Sequence, residues 1–419
     1  MKGEFSRRQL LAGSGLATAG LIAATAAGAT AGSLETDTPP SGAATSPQGG
    51  GPTIPFFGAH QAGIATPEQA RMVFAAYDVT ASDAGALAAL LAQWTDAAAR
   101  LTAGEDVEGP AGLFVPPADT GEAIGLAPSH LTITVGFGPT LFDGRFGLAG
   151  HRPDALVDLP AFAGDALQAS RSGGDVCIQA CADDAQVAFH AVHNLTRLAL
   201  GSATLRYLQV GFGPAASAGG RPSPRNLLGF HDGTNNLASS DERAMQRFVW
   251  VDRATDRRWM TGGTYLVARR IRIHLEAWNN STLDDQEQTI GRIRSTGAPF
   301  GAGSSEDDPV DLNALGPNGE PLIPANAHIR AAAPSTNAGQ ALLRRGYTFA
   351  DGVDPQSGEL DAGLFFICFQ KDPRNQFIPI QQRLSHTDAL APYLLHTGSA
   401  IFACPPGIES GERWGAGLV

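Results

Sequence analysis

Charged side chains are scarce. Asp, Glu, Lys and Arg make up 17% of the 419 residues, against 43% that are apolar. Such a chain is neither disordered nor highly solvated, and it carries enough apolar material for a full core. Basic residues form no run beyond isolated arginine pairs, and the formal net charge is −12. That balance argues against a phosphate-binding surface and against nucleic acid as a partner. Cysteine is sparse too: Cys177, Cys181, Cys368 and Cys404 include no second closely spaced pair of the kind a zinc site needs. On a strand, Cys177 and Cys181 would share a face yet lie too far apart to bond, so buried free thiols are expected. A G-x-S-x-G elbow, a Walker loop and an H-E-x-x-H helix are all missing. Gly136-x-Gly138 is followed by Pro139, which suits a turn rather than a dinucleotide fingerprint.

Glycine and proline are plentiful, at 51 and 28, which implies many turns rather than long helices. The N-terminus reads as a targeting segment. Ser6-Arg7-Arg8-Gln9-Leu10-Leu11 carries twin arginines, a weakly apolar stretch runs to Gly28, and Ala29-Thr30-Ala31 fits an A-x-A cleavage site. Its Gly and Thr content falls short of the roughly 20 strongly apolar residues of a membrane anchor. Residues 1–31 are therefore expected to be a twin-arginine signal peptide, and the Ser/Thr/Pro/Gly-rich stretch 32–53 a flexible linker. The folded body is expected to start at Ile54.

From there strands and helices alternate. Ala70–Tyr77 and Leu131–Phe137 pattern as strands, Asp83–Thr102 as a helix with Leu87, Leu90, Leu91 and Trp94 on one face. Val176–Cys181 (strand), Ala185–Leu200 (helix) and Arg206–Phe212 (strand) complete a β-α-β-β-α-β order, the ferredoxin-like pattern. The second half reads as a repeat. Gln246–Asp252, Gly263–Ala277 and Leu364–Gln370 pattern as strands, and Leu283–Gly291 and Phe377–Leu384 as helices. His274 is placed in a strand. The segment 295–345 is too irregular and too long to be a mere linker. The expected fold is α+β: two ferredoxin-like domains with antiparallel sheets, 54–215 and 216–419, joined where Gly and Pro cluster near 213–226.

One stretch carries chemistry: Leu228-Gly229-Phe230-His231-Asp232-Gly233-Thr234-Asn235-Asn236. An acid bracketed by glycines marks a tight turn that another body approaches closely, or simply a turn Asp. Downstream come His328, in Ala325-Asn326-Ala327-His328-Ile329-Arg330, and Arg344, in Leu343-Arg344-Arg345-Gly346-Tyr347. Acid in a glycine turn, then a histidine, then paired arginines resembles the dye-decolourising peroxidases. The nearest likeness is the exported, iron-uptake-linked EfeB type, also called deferrochelatase/peroxidase. Phe57–Gly63, Gly136–Asp143, Ser172–Cys181, Leu275–Trp278 and Gly363–Gln370 extend the resemblance to nearly everything from about residue 55 onward.

The resemblance implies a duplicated α+β architecture with one haem b per chain, held mainly by the C-terminal half. It makes His328 the proximal ligand of the haem iron, leaving the opposite axial position open. Asp232 would then shuttle a proton of hydrogen peroxide, since a carboxylate is ionised above pH about 4. Arg344 would stabilise charge as the O–O bond breaks. Of the arginine pair, counting from His328 favours Arg344, with Arg345 in a salt bridge.

Weaker readings have alternatives beside them. Arg330 pairs with a haem propionate or is a surface residue. Gly233 lets the backbone approach the porphyrin, while Thr234, Asn235 and Asn236 donate to its edge or merely stabilise the turn. Asp361 and Glu276 are candidates to orient His328. His231 is placed on the surface or propionate side. Tyr347, Trp278 and Trp250 are candidate electron relays. His190 and His193 lie i, i+3 on a helix with no third ligand evident.

Two activities are implied. One is a peroxidase using hydrogen peroxide to oxidise phenols or dyes by one-electron steps. The other is a deferrochelatase that removes iron from haem and leaves the porphyrin intact. Export through the Tat translocase, a periplasmic or extracellular location, contact with iron-uptake permease components and a homo-oligomeric assembly complete the expectations.

Overall fold

The expected alternation is present in the computed structural model of the chain, which describes residues 51–108, 112–213, 224–301 and 303–419. The signal peptide at 1–31, the linker up to residue 50 and the joint at 214–223 lie outside the described residues. β1 (Arg71–Val79) leads to α1 (Ala84–Thr102), whose N-terminus is closed by the Asp83 carboxylate accepting from the Ala86 amide. β2 (Thr132–Phe137), β3 (Val176–Ala182), α2 (Ala185–Leu198) and β4 (Ala203–Phe212) complete the first half. Asp184 caps α2 in the same way, accepting from Gln186 and Val187.

The second half departs from expectation at two of the expected strands, and it adds strands at Leu343–Arg344, Tyr347–Val353 and Leu394–Cys404 that the sequence pattern does not predict. Gln246–Asp252 is not a strand but the end of a helix, α3 (Glu242–Phe248), capped by Asp241 through the Ala244 amide at 3.0 Å, and an irregular segment. Its Val249-Trp250-Val251 run is buried by packing into the two cores, with Trp250 also stacked on His60 at 3.7 Å between centroids, and not as a strand. β5 (Thr264–Ile273) stops short of Ala277, and α4 (Leu275–Asn279) follows. His274 stands at that junction rather than in the strand, its Nδ1 3.3 Å from Glu359. Then come α5 (Leu283–Ile290), α6 (His328–Ala332), β6 (Leu343–Arg344), β7 (Tyr347–Val353), β8 (Leu360–Gln370), α7 (Phe377–Thr387) and β9 (Leu394–Cys404).

All strands pair antiparallel in the order β5-β9-β2-β3-β1-β4-β7-β8, and β8 pairs back onto β5, so eight strands close into a barrel. The halves have the same internal order, β2-β3-β1-β4 and β7-β8-β5-β9, which is the duplicated ferredoxin-like arrangement. They join at Phe137↔Ala403 and Phe212↔Thr348. Side chains of period two divide two cores. Met72, Phe74, Cys181, Phe365, Phe369 and Phe402 fill the barrel, while Val73, Tyr77, Ile133 and Ile178 face outward against Leu90, Trp94 and Leu195 of the helices. All four cysteines are buried and free.

One buried histidine sets a pH limit. His396 on β9 is pushed down to about 4 by burial and by the Arg269 charge beside it. The unfolded chain therefore takes up a proton at about pH 6.5 that the folded one refuses. Stability is full above that pH and falls as pH drops toward 4, by up to about 3 kcal/mol from this group. Acid unfolding of the cofactor-free protein, compared with His396→Gln, should show a shallower loss in the variant over pH 6.5 to 4. Parallel curves would refute the assignment.

Candidate active site

The Asp232 turn is anchored from below. Leu228 and Phe230 enter an apolar cluster with Ile273, Trp278, Ile290 and Leu390. Trp278 Nε1–H donates to Leu228 O at 3.0 Å and its ring meets Phe230 edge-on at 6.1 Å. Gly229 and Gly233 both have positive φ, +84° and +79°, so each is at a position that a Cβ would strain. Asn235 shares that conformation at +57°, and Asn236 N–H closes the turn on Gly233 O at 3.2 Å. The Asp232 carboxylate accepts from Gly233 N–H at 2.8 Å.

His328 opens the five-residue α6, which packs on α7. The Asp388 carboxylate lies 2.6 Å from His328 Nδ1 and also accepts the Leu390 amide at 2.9 Å. Burial opposes protonation of the imidazole, but the Asp388 charge and hydrogen bond outweigh it and hold its pKa above the usual value. Arg344 pulls in the opposite direction and Asp232 reinforces Asp388, so all three groups lie within electrostatic range of His328. Ile329 and Leu390 pack against the same cluster that holds Leu228 and Phe230. One apolar body thus supports both the acid turn and the histidine.

Arg344 and Arg345 are adjacent in sequence and part company in space. Arg345 is 2% exposed, donates through Nη1 to Thr66 O at 2.6 Å and through Nη2 to Gln69 Oε1. Arg344 is half-buried and donates through Nη2 to Thr234 O at 2.8 Å. Glu68 lies beside both. Burial raises its pKa, Arg345 lowers it, Asp232 adds to the rise and Arg344 opposes.

The turn residues expected to touch a cofactor have partners of their own. Thr234 O takes the Arg344 guanidinium, and the Asn236 side chain bonds the Arg344 backbone. Arg330 donates to Pro324 O, Leu312 O and Ile323 O, at 3.0, 2.7 and 2.6 Å, and so ties down the long irregular segment. His231 is not a surface residue: its side chain is 5% exposed and its Nδ1 is 2.6 Å from Glu306. Neither Asp361 nor Glu276 orients His328, because Asp388 does, and Asp361 accepts from Arg270 at 2.8 Å. His190 pairs with Asp119 at 2.7 Å and His193 with Glu122 at 2.5 Å. Asp388 and Glu68 gave no sequence signal; each is an isolated acid in an unremarkable stretch.

The donor chemistry here suits a metal that brings most of its ligands with it. Among the described residues, no group of three or more His, Cys, Asp or Glu is arranged to hold a bare ion. His328 keeps 32% of its side chain accessible although Asp388 is bonded to its Nδ1. Its Nε2 makes no hydrogen bond to a described residue. One accessible imidazole nitrogen without a protein partner fits iron already held by a macrocycle.

Two family models match the chain. Dyp-type peroxidase, N-terminal, spans residues 61–213, and Dyp-type peroxidase, C-terminal, spans 223–409. The deferrochelatase of Escherichia coli (strain K12) is 38% identical over 372 residues, 87% of each chain. Ferric DtpA from Streptomyces lividans matches at TM-score 0.81 and 42% identity, covering 88% of this chain and 97% of its own. A DyP-type peroxidase from Cellulomonas bogoriensis matches at TM-score 0.79 and 39% identity, covering 87% and 98%.

Proposed function

The chain belongs to the Dyp-type peroxidase family, and from that premise we propose which of its residues perform the chemistry. It is an enzyme and a haem protein, with peroxidase or deferrochelatase activity. His328 Nε2 would ligate the haem iron, with Asp388 holding Nδ1–H and so fixing the ring. Bound there, haem would supply the redox-active iron needed to reduce hydrogen peroxide and oxidise organic donors. Asp232 would accept a proton from one peroxide oxygen and return it to the other, which leaves as water. Arg344 would oppose the negative charge that develops during O–O cleavage. Two phenol or dye molecules would each give up one electron and one proton per peroxide. The observation that carries this reading is that Arg344 bonds the Asp232 turn at Thr234 O while one apolar cluster supports both that turn and the His328 helix.

The deferrochelatase reading is favoured by the curated relative at 38% identity. Both readings share one pocket and differ in product. Haem is titrated into the protein, and peroxide with a phenolic dye is added to one half. Peroxide-dependent dye oxidation supports the peroxidase. Metal-free protoporphyrin fluorescence appearing without peroxide supports iron removal. Stoichiometric uptake with neither outcome would overturn both.

We further assign residues 1–31 to twin-arginine export, with the Tat translocase as partner, and the mature protein to the periplasm or exterior. No helix among the described residues is long and apolar enough to cross a membrane. Iron-permease components and a second copy of the chain are the remaining proposed partners.

A further inference from the structure

We propose that Asn236 is the positioning residue of Arg344: its carboxamide replaces a missing neighbour strand and fixes the arginine against the Asp232 turn. This rests on Arg344 acting on the peroxide side of the site.

β6 is only two residues long, pairing Leu343 with Phe369 and Arg344 with Cys368 on β8. The next residue continues the pairing, with Arg345 N–H donating to Ile367 O at 2.8 Å. The backbone of Arg344 turns the other way. Its N–H donates to Asn236 Oδ1 at 3.0 Å, and its C=O accepts from Asn236 Nδ2–H at 2.8 Å. A carboxamide presents a donor and an acceptor side by side, as a strand edge does, so one side chain satisfies both groups. Serine can satisfy only one of them at a time in this geometry, and alanine neither.

The same turn also holds the far end of the arginine, since Thr234 O accepts from Nη2 at 2.8 Å. Main chain and guanidinium of Arg344 are therefore both referred to the five-residue segment from Asp232 to Asn236. That segment is stiff, with left-handed Gly233 and Asn235 and the Asn236-to-Gly233 bond. Arg344 Nε and Nη1 donate to no described residue, which leaves them available to an anion. The spacing of acid and cation thus depends on the Asn236 carboxamide at the main chain and on Thr234 O at the guanidinium.

The test uses the haem-loaded protein and two readouts, fluoride affinity of the ferric form by absorbance and the rate of reaction with peroxide. Fluoride binds without turnover and gains from a cationic donor beside the iron. Asn236→Ala should weaken fluoride binding and slow the peroxide reaction, each about tenfold, with haem uptake intact, and Asn236→Ser should fall between. In an Arg344→Ala background the same changes should have no further effect. Equal losses in both backgrounds would overturn the assignment. Should Asn236→Ala not fold, the graded Ser variant carries the same comparison. If Arg344→Ala alone leaves fluoride and peroxide unchanged, the distal role of Arg344 falls first and this assignment with it. That result differs from an Arg344 effect that Asn236 does not share.

Discussion

Haem titrated into the His328→Ala protein should give no stoichiometric Soret shift, and peroxide should then drive no dye oxidation. The reason is the donor set: His328 offers an imidazole nitrogen without a protein partner, and among the described residues no cluster of ligands substitutes for it. The fold should survive. His328 makes one side-chain hydrogen bond, to Asp388, and Asp388 keeps the Leu390 amide when that bond is lost. Leaving the buried carboxylate one partner short costs about 1–3 kcal/mol, a moderate fall in thermal stability rather than unfolding. Imidazole added to His328→Gly should restore the Soret band by occupying the vacated space. Asp388→Asn separates holding from tuning. It keeps an acceptor near Nδ1 but removes the charge, and a loss of about 10–100-fold in activity with haem still bound is expected. A wild-type titration curve in His328→Ala would remove the ligand assignment.

How much of this the residues announce depends on whether the determining contact is local. Asp83 and Asp184 cap α1 and α2 within three residues of themselves, and β1 to β4 have either alternation or a fully apolar run, so the first half is legible. α3 is hidden because Val249-Trp250-Val251 imitates a strand, while its burial comes from tertiary packing in the two cores and on His60, far away in sequence. β9 was hidden for a related reason. Its Leu-Leu-His-Thr-Gly-Ser start breaks any alternation, and its place is set by β5, with a register shift between Arg270 and Ile271. Barrel closure depends on single register pairs such as Phe212↔Thr348, which no local pattern encodes.

The site follows the same division. Gly229 and Gly233 announced the turn because only glycine sits easily at those backbone angles. The partner of His328 is 60 positions away, and an acid on a helix exit looks like any other. Asp361 was a fair candidate by composition and is held by Arg270 instead. For the paired arginines the sequence could say that strand neighbours point apart, but not which goes inward. That choice is made by Thr66 and Gln69, which form the cage around Arg345.

The arginine pair therefore makes the sharpest contrast. Arg345→Ala strips a buried cation from Glu68, Thr66 and Gln69, and a destabilisation of about 3–5 kcal/mol is expected, read as a lower unfolding temperature in the cofactor-free protein. Arg344→Ala removes a half-buried side chain with one hydrogen bond, so unfolding should barely move while reaction with peroxide slows by about 10²–10³-fold. Asp232→Asn should be as damaging or more, by about 10²–10⁴-fold, because an amide cannot take the proton. It preserves the shape of the turn and an acceptor for Gly233 N–H, so haem uptake and stability should be unchanged. The two losses should not multiply. A site lacking the proton acceptor reaches little of the charge that Arg344 would stabilise, so the double variant should resemble Asp232→Asn alone. Fully additive losses would mean that the residues act at separate steps. A normal peroxide rate in Asp232→Asn would transfer the proton role to Glu68, a second carboxylate within electrostatic range of Arg344.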